Sequence, residues 1–76
     1  MNSTIHLLDV VALVEDLPAQ GLSRGQVGTV VDELDTDAFL VEFSDSDGRT
    51  YAMLPLLTHQ LIVLHYEPVE PQLLEV

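Results

Sequence analysis

The stretch that most constrains this chain is "AFLVEFSDSDGRTYAML", residues 38–54. Its first seven residues alternate strictly. Phe39, Val41 and Phe43 fall on one face of an extended chain, and Ala38, Leu40, Glu42 and Ser44 on the other. The next four, "DSDG", are turn formers, and Asp47-Gly48 can take the positive φ that a tight hairpin needs. "RTYAML" (49–54) then reads as the returning strand, with Pro55 expected to stop it. The segment predicts an antiparallel hairpin whose buried side is led by two Phe and a Val.

Three other runs read the same way. In "DVVALVE" (9–15), Val10, Ala12 and Val14 alternate with Val11, Leu13 and Glu15, so both faces are apolar and a strand buried on both sides is expected. "VGTVVDEL" (27–34) is a strand in which Gly28 marks a bulge, a sharp bend or a close backbone approach. "LIVLH" (61–65) is a fifth strand, and "LLTHQ" (56–60) before it fits one helical turn. Pro18, Gly21 and Gly25 make 16–26 a long loop, and "DTD" (35–37) a turn. At the N-terminus, Ser3 or Thr4 could cap a short helical turn. Residues 1–66 are expected to form a single domain, with 67–76 an extended acidic tail containing Pro and an apolar "QLLEV" end. The order of elements predicts an all-β fold: a small five-stranded SH3-like barrel with a short helical turn before the last strand. An OB-type barrel or an open meander is the alternative. An OB barrel usually places a helix between strands three and four, where this chain has only "DSDG".

Charge narrows the function. Thirteen acidic residues face two basic ones, a formal net charge of -11. Such a chain repels phosphate backbones and anionic membranes and attracts basic partners. The plain alternative is that the acidic surface serves solubility. There is no Cys, which excludes disulfides and thiolate-bound zinc. The early apolar run is interrupted by Asp9 and lacks a basic flank, so neither a secretory signal nor a membrane span is expected, and the default location is the cytoplasm. No cofactor is expected.

"DVVALVEDL" followed by "RGQVGTVVDEL" resembles the KOW motif of transcription factors and ribosomal proteins: a strand, a loop and a second strand punctuated by glycines, here Gly25 and Gly28. The loop is longer than in that motif, and its basic residues are missing except Arg24. The resemblance supports the barrel and weakens nucleic-acid binding. A wider resemblance runs from Leu7 to Pro68. "DVVALVEDLP", "RGQVGTVV" and "EFSDSDGRTYA" in this order are similar to the bacterial domain-of-unknown-function family 4926. That resemblance implies a short stand-alone bacterial protein, sometimes encoded beside a second small gene, an arrangement that suggests toxin–antitoxin or immunity pairing. It transfers no catalytic residue.

The residues with chemical potential are few. Asp45, Asp47 and Gly48 resemble the start of a calcium loop, but its fifth, sixth and twelfth positions hold Arg49, Thr50 and Leu56, which cannot complete one. His6, His59 and His65 have no ligand-like spacing, and exposed positions at strand ends are expected for them. Ser23, Ser44 and Ser46 lie in turns or strand ends without a nucleophile motif. A barrel of this size has little room for a substrate pocket, so a non-enzymatic role is expected. Arg24, Arg49 and Tyr51 are the candidate binding residues, with Arg24 at a loop tip and Arg49 and Tyr51 on one face. The competing local reading, which is preferred, pairs Arg49 with Asp45, Asp47 or Glu42 across the hairpin. Tyr51 and Tyr66 are too few aromatics for a Pro-rich peptide groove. The expected function is that of a small acidic protein-binding module, an antitoxin- or immunity-like partner of a basic protein. A KOW-like nucleic-acid module and an accessory barrel of an enzyme are the alternatives, and self-association stays open.

Overall fold

In a computed structural model, residues 5–68 are described. The turn expected around Ser3 and Thr4, and all but the first two residues of the 67–76 tail, lie outside them. Five strands form one antiparallel sheet: β1 (Val10–Leu13), β2 (Val27–Asp35), β3 (Ala38–Ser44), β4 (Thr50–Leu57) and β5 (Leu61–Val63), in the spatial order β4-β3-β2-β1-β5. Two 3-10 turns, Pro18–Gln20 and Thr58–Gln60, are the helical segments among the described residues. The fold is all-β, as the alternating runs predict.

The core follows from the pleat. Phe39, Val41 and Phe43 of β3 are all buried, and Phe43 is 0% exposed. Register places Val11, Gly28, Phe43 and Ala52 in one cross-strand row, and Val30, Val41 and Leu54 in the next. Leu13, Leu56 and Leu61 complete the cluster, with Ile5 and Leu22 closing over it. Ile5 leads into a turn in which the His6 N–H donates to Asp9 Oδ2 (2.8 Å) and the Leu8 N–H to the Val30 carbonyl (2.7 Å). Leu8 there takes φ 72°, a conformation unusual for a side chain of its size.

The sheet curls. Leu57, the last residue of one edge strand, is four residues from Leu61, the first of the other. Four residues span at most about 14 Å, whereas the edges of a flat five-stranded sheet lie roughly 19 Å apart. The bend is built in. β2 carries register shifts between Val30 and Asp32 and between Glu33 and Asp35, and β4 carries one at Tyr51. Each such bulge sharpens the local twist. The 3-10 turn Thr58–Gln60 then stitches the ends together. The Thr58 N–H donates to the Asp37 carbonyl (3.0 Å), and Gln60 accepts from the Leu57 N–H (2.8 Å) while donating to Glu15 Oε2 (3.0 Å). No ladder joins β4 to β5 among the described residues.

Several boundaries differ from expectation. Pro55 does not stop β4, which runs on to Leu57. β4 is an edge strand, where a residue without an N–H leaves no ladder bond unmade on the open side. β1 is shorter than 9–15, and β5 ends at Val63 rather than at His65. Nor is β1 buried on both sides. Val11 and Leu13 face the core and Ala12 is covered, but Val14 is exposed. One sheet has a single core, so its outer face meets solvent.

The β3–β4 turn is held by Asp45. Its Oδ1 accepts from the N–H groups of Asp47 (2.9 Å) and Arg49 (3.0 Å), while its carbonyl accepts from Gly48 (3.0 Å). Gly48 takes φ 84°. A β-branched residue is strained there, so Gly48→Val is expected to destabilise by roughly 1–2 kcal/mol, against at most about 0.5 kcal/mol for Ser46→Ala. Denaturant melts of the two variants check this, and equal losses would contradict the turn assignment.

Candidate binding surface

The strand directions bring two loops to one end of the sheet. The β1–β2 connection (14–26) and the β3–β4 turn (45–49) both lie where β2 begins and β3 ends. Gln26 joins them, its Nε2 donating to the Tyr51 hydroxyl at 3.0 Å across 25 residues of sequence. Tyr51 is the extra residue of the β4 bulge and is half exposed, at 48%. Its ring is tilted 41° to that of Phe43, with centroids 6.3 Å apart. The tyrosine thus lids the core at this end.

Arg24 and Arg49 belong to the same end. Arg24 is exposed in the turn before β2, with its backbone N–H held by Asp16 Oδ1 at 2.8 Å. Arg49 is exposed immediately before β4. The cross-hairpin ion pairs expected for Arg49 are absent among the described residues. Two of the three carboxylates that could make them are otherwise engaged: Asp45 takes backbone N–H groups, and Glu42 accepts from the Thr50 hydroxyl. Neither guanidinium is paired within 4.0 Å among the described residues.

The opposite end is acidic around the β2–β3 turn, with His59 beside it in the Thr58–Gln60 turn. Asp32, Glu33, Asp35 and Asp37, around the β2–β3 turn, are all exposed, and no Lys or Arg lies between residues 25 and 48. Among the described residues, the Asp32 and Asp35 carboxylates accept from the next residues' N–H groups, Glu33 and Thr36. His6, His59 and His65 are exposed, as expected of them, and His6 lies 3.8 Å from Asp9. Among the described residues no three His, Asp or Glu side chains converge as metal ligands, and no cavity is found.

Sequence reasoning missed an apolar strip on the outer face of the sheet. Register sets Val27, Ala12 and Ile62 side by side across β2, β1 and β5. Val27 is 45% exposed and Ile62 54%. Val14 follows Ala12 on the same face, and Leu64, whose N–H donates to the Val10 carbonyl, follows Ile62. The strip's apolar composition was visible, but which face of each run turns outward depends on strand pairing.

No helix among the described residues is long and apolar enough to cross a membrane. Comparison with curated proteins and with solved structures gives no match. The family described as "Domain of unknown function (DUF4926)" matches residues 7–63, a span covering all five strands and both loops of the arginine-bearing end. The chain belongs to that family.

Proposed function

We propose that this protein is a small acidic protein-binding module that engages a basic protein partner without catalysis. The observation that carries the reading is the uncompensated charge: a net -11 with no Lys, and an acidic β2–β3 turn without a Lys or Arg. Such a surface steers a cationic partner toward it and rejects polyanions. Neutralisation of a partner encoded beside it, in an antitoxin- or immunity-like pairing, is the concrete form of the reading, in the cytoplasm and without a cofactor. The SH3-like description belongs to the same proposal. It is supported by the strand order, the curled sheet and the 3-10 turn between β4 and β5.

The KOW-like alternative has one favourable observation, the guanidinium groups of Arg24 and Arg49 at one end, unpaired among the described residues. Two cations are few for phosphate recognition, since affinity for the backbone comes mainly from several Lys or Arg neutralising phosphates. Titration of labelled RNA and DNA at low salt tests this. Binding weaker than about 100 μM is expected, at or beyond the weak end of ordinary non-specific affinity. Micromolar binding that disappears in Arg24→Ala would overturn the proposal.

A further inference from the structure

We propose that the open edge of β4 is a latent self-pairing surface, and that Pro55 keeps it closed to the β4 strand of a second copy of this chain. Hydrogen bonding fixes which groups the edge offers. Alternate residues of an antiparallel strand turn both backbone groups to the same side. The Thr58 N–H reaches the Asp37 carbonyl on the β3 side, so Leu56 and Leu54 also face β3, while Leu57, Pro55 and Met53 face outward. The Leu57 N–H agrees, since it donates to Gln60 Oε1 and not to β3. Pro55 has no N–H, so of the three only Met53 still offers a donor. Backbone groups along a strand edge are completed by another extended strand, and that chemistry selects the occupant. The sequence of β4, TYAMLPLL, carries no charge, so two copies of it would meet without like charges opposite each other. Glu42, paired with Met53 from β3, would lie three strand spacings, about 14 Å, from the β3 of the other copy. That exceeds the screening length of roughly 8 Å at physiological ionic strength. The other edge strand, β5, has three residues, too few to template a partner. Pairing about a two-fold axis at residue 55 would set Pro55 against its own copy and Met53 against Leu57. The proline removes both central bonds, and Gln60 occupies the Leu57 N–H. β4 thus lacks the charged residues that commonly guard an edge and uses a residue without a donor instead.

The test compares the full chain with Pro55→Val by sedimentation equilibrium in about 0.15 M salt, with thermal melts verifying that each variant folds. The wild type is expected to be monomeric. Pro55→Val is expected to self-associate at least about tenfold more tightly, from the two regained backbone hydrogen bonds. It is expected to stop at a dimer, because a two-fold contact uses up the edge. In that dimer, hydrogen exchange is expected to slow at the Met53 N–H and at the new N–H of position 55. Adding Met53→Lys to Pro55→Val places a charge on the edge and is expected to restore the monomer. Pro55→Thr makes the same comparison with a less apolar residue if the valine variant does not fold. A folded Pro55→Val protein that self-associates no more tightly than the wild type would overturn the proposal. So would a dimer that leaves Met53 unprotected, or a wild-type dimer through β4. Failure of both variants to fold would overturn it as well, since an outward N–H needs no partner but water.

Discussion

Phe43→Ala is expected to lower the free energy of unfolding by about 3–5 kcal/mol. The side chain is 0% exposed, at the centre of a row running from β1 through β2 to β4, and its ring supports Tyr51. Removing it deletes the largest fully buried side chain and leaves a void between strands fixed on both sides by backbone ladders. A domain of this length has a total stability of roughly 4–11 kcal/mol, so the loss is a large share of the whole. Melting should fall by some 15–30 °C, if the folded state survives at all. A variant that melts like the wild type would mean that the faces of β3 are inverted.

Gly28→Ala is the second large effect, and it is unusual because adding one methyl group causes it. A Cβ at position 28 would lie 2.7 Å from Val41 Cγ1, 2.8 Å from the Glu42 carbonyl oxygen and 3.1 Å from the Phe43 ring. None of these can move cheaply. Val41 and Phe43 are fully buried, and the Glu42 oxygen belongs to the strand paired with Thr29. Overpacking of this kind costs roughly 1–3 kcal/mol, occasionally more. That outweighs the few tenths to 1 kcal/mol that a Gly→Ala change ordinarily contributes by restricting the unfolded chain. Gly28→Val should be worse despite the better strand propensity of Val. Thermal melts of both variants decide the matter, and a Gly28→Ala protein as stable as the wild type would contradict the close β2–β3 approach. The glycine of the KOW-like segment is thereby explained by construction of the sheet, with no need for a bound phosphate.

What was legible in the sequence was what neighbouring residues decide. β3 has the predicted bounds, 38–44, because strict alternation fixes both its faces and turn formers bracket it. Gly48 takes positive φ and Asp45 grips the turn because an Asp at the start of a tight turn can reach the N–H groups two and four residues on. What was not legible depends on partners far along the chain. Pro55 is tolerated because β4 is an edge, which follows from the order of all five strands. Val14 and Ile62 are apolar in runs that look buried on both faces, yet one sheet leaves them outside. The candidate site was half visible. Arg24, Arg49 and Tyr51 do share one end of the sheet, but Gln26, which ties Tyr51 to the Arg24 loop, carries no signal of that role in sequence.

The central claim is that uncompensated acidity selects a basic protein partner. The measurement that tests it most directly is the association rate between this protein and the product of the neighbouring gene, followed across a salt series from low ionic strength to about 0.5 M, where the screening length falls from tens of ångströms to a few. The account predicts a rate that falls at least tenfold across the series while dissociation changes little, the mark of charge-steered encounter. A rate indifferent to salt would contradict it.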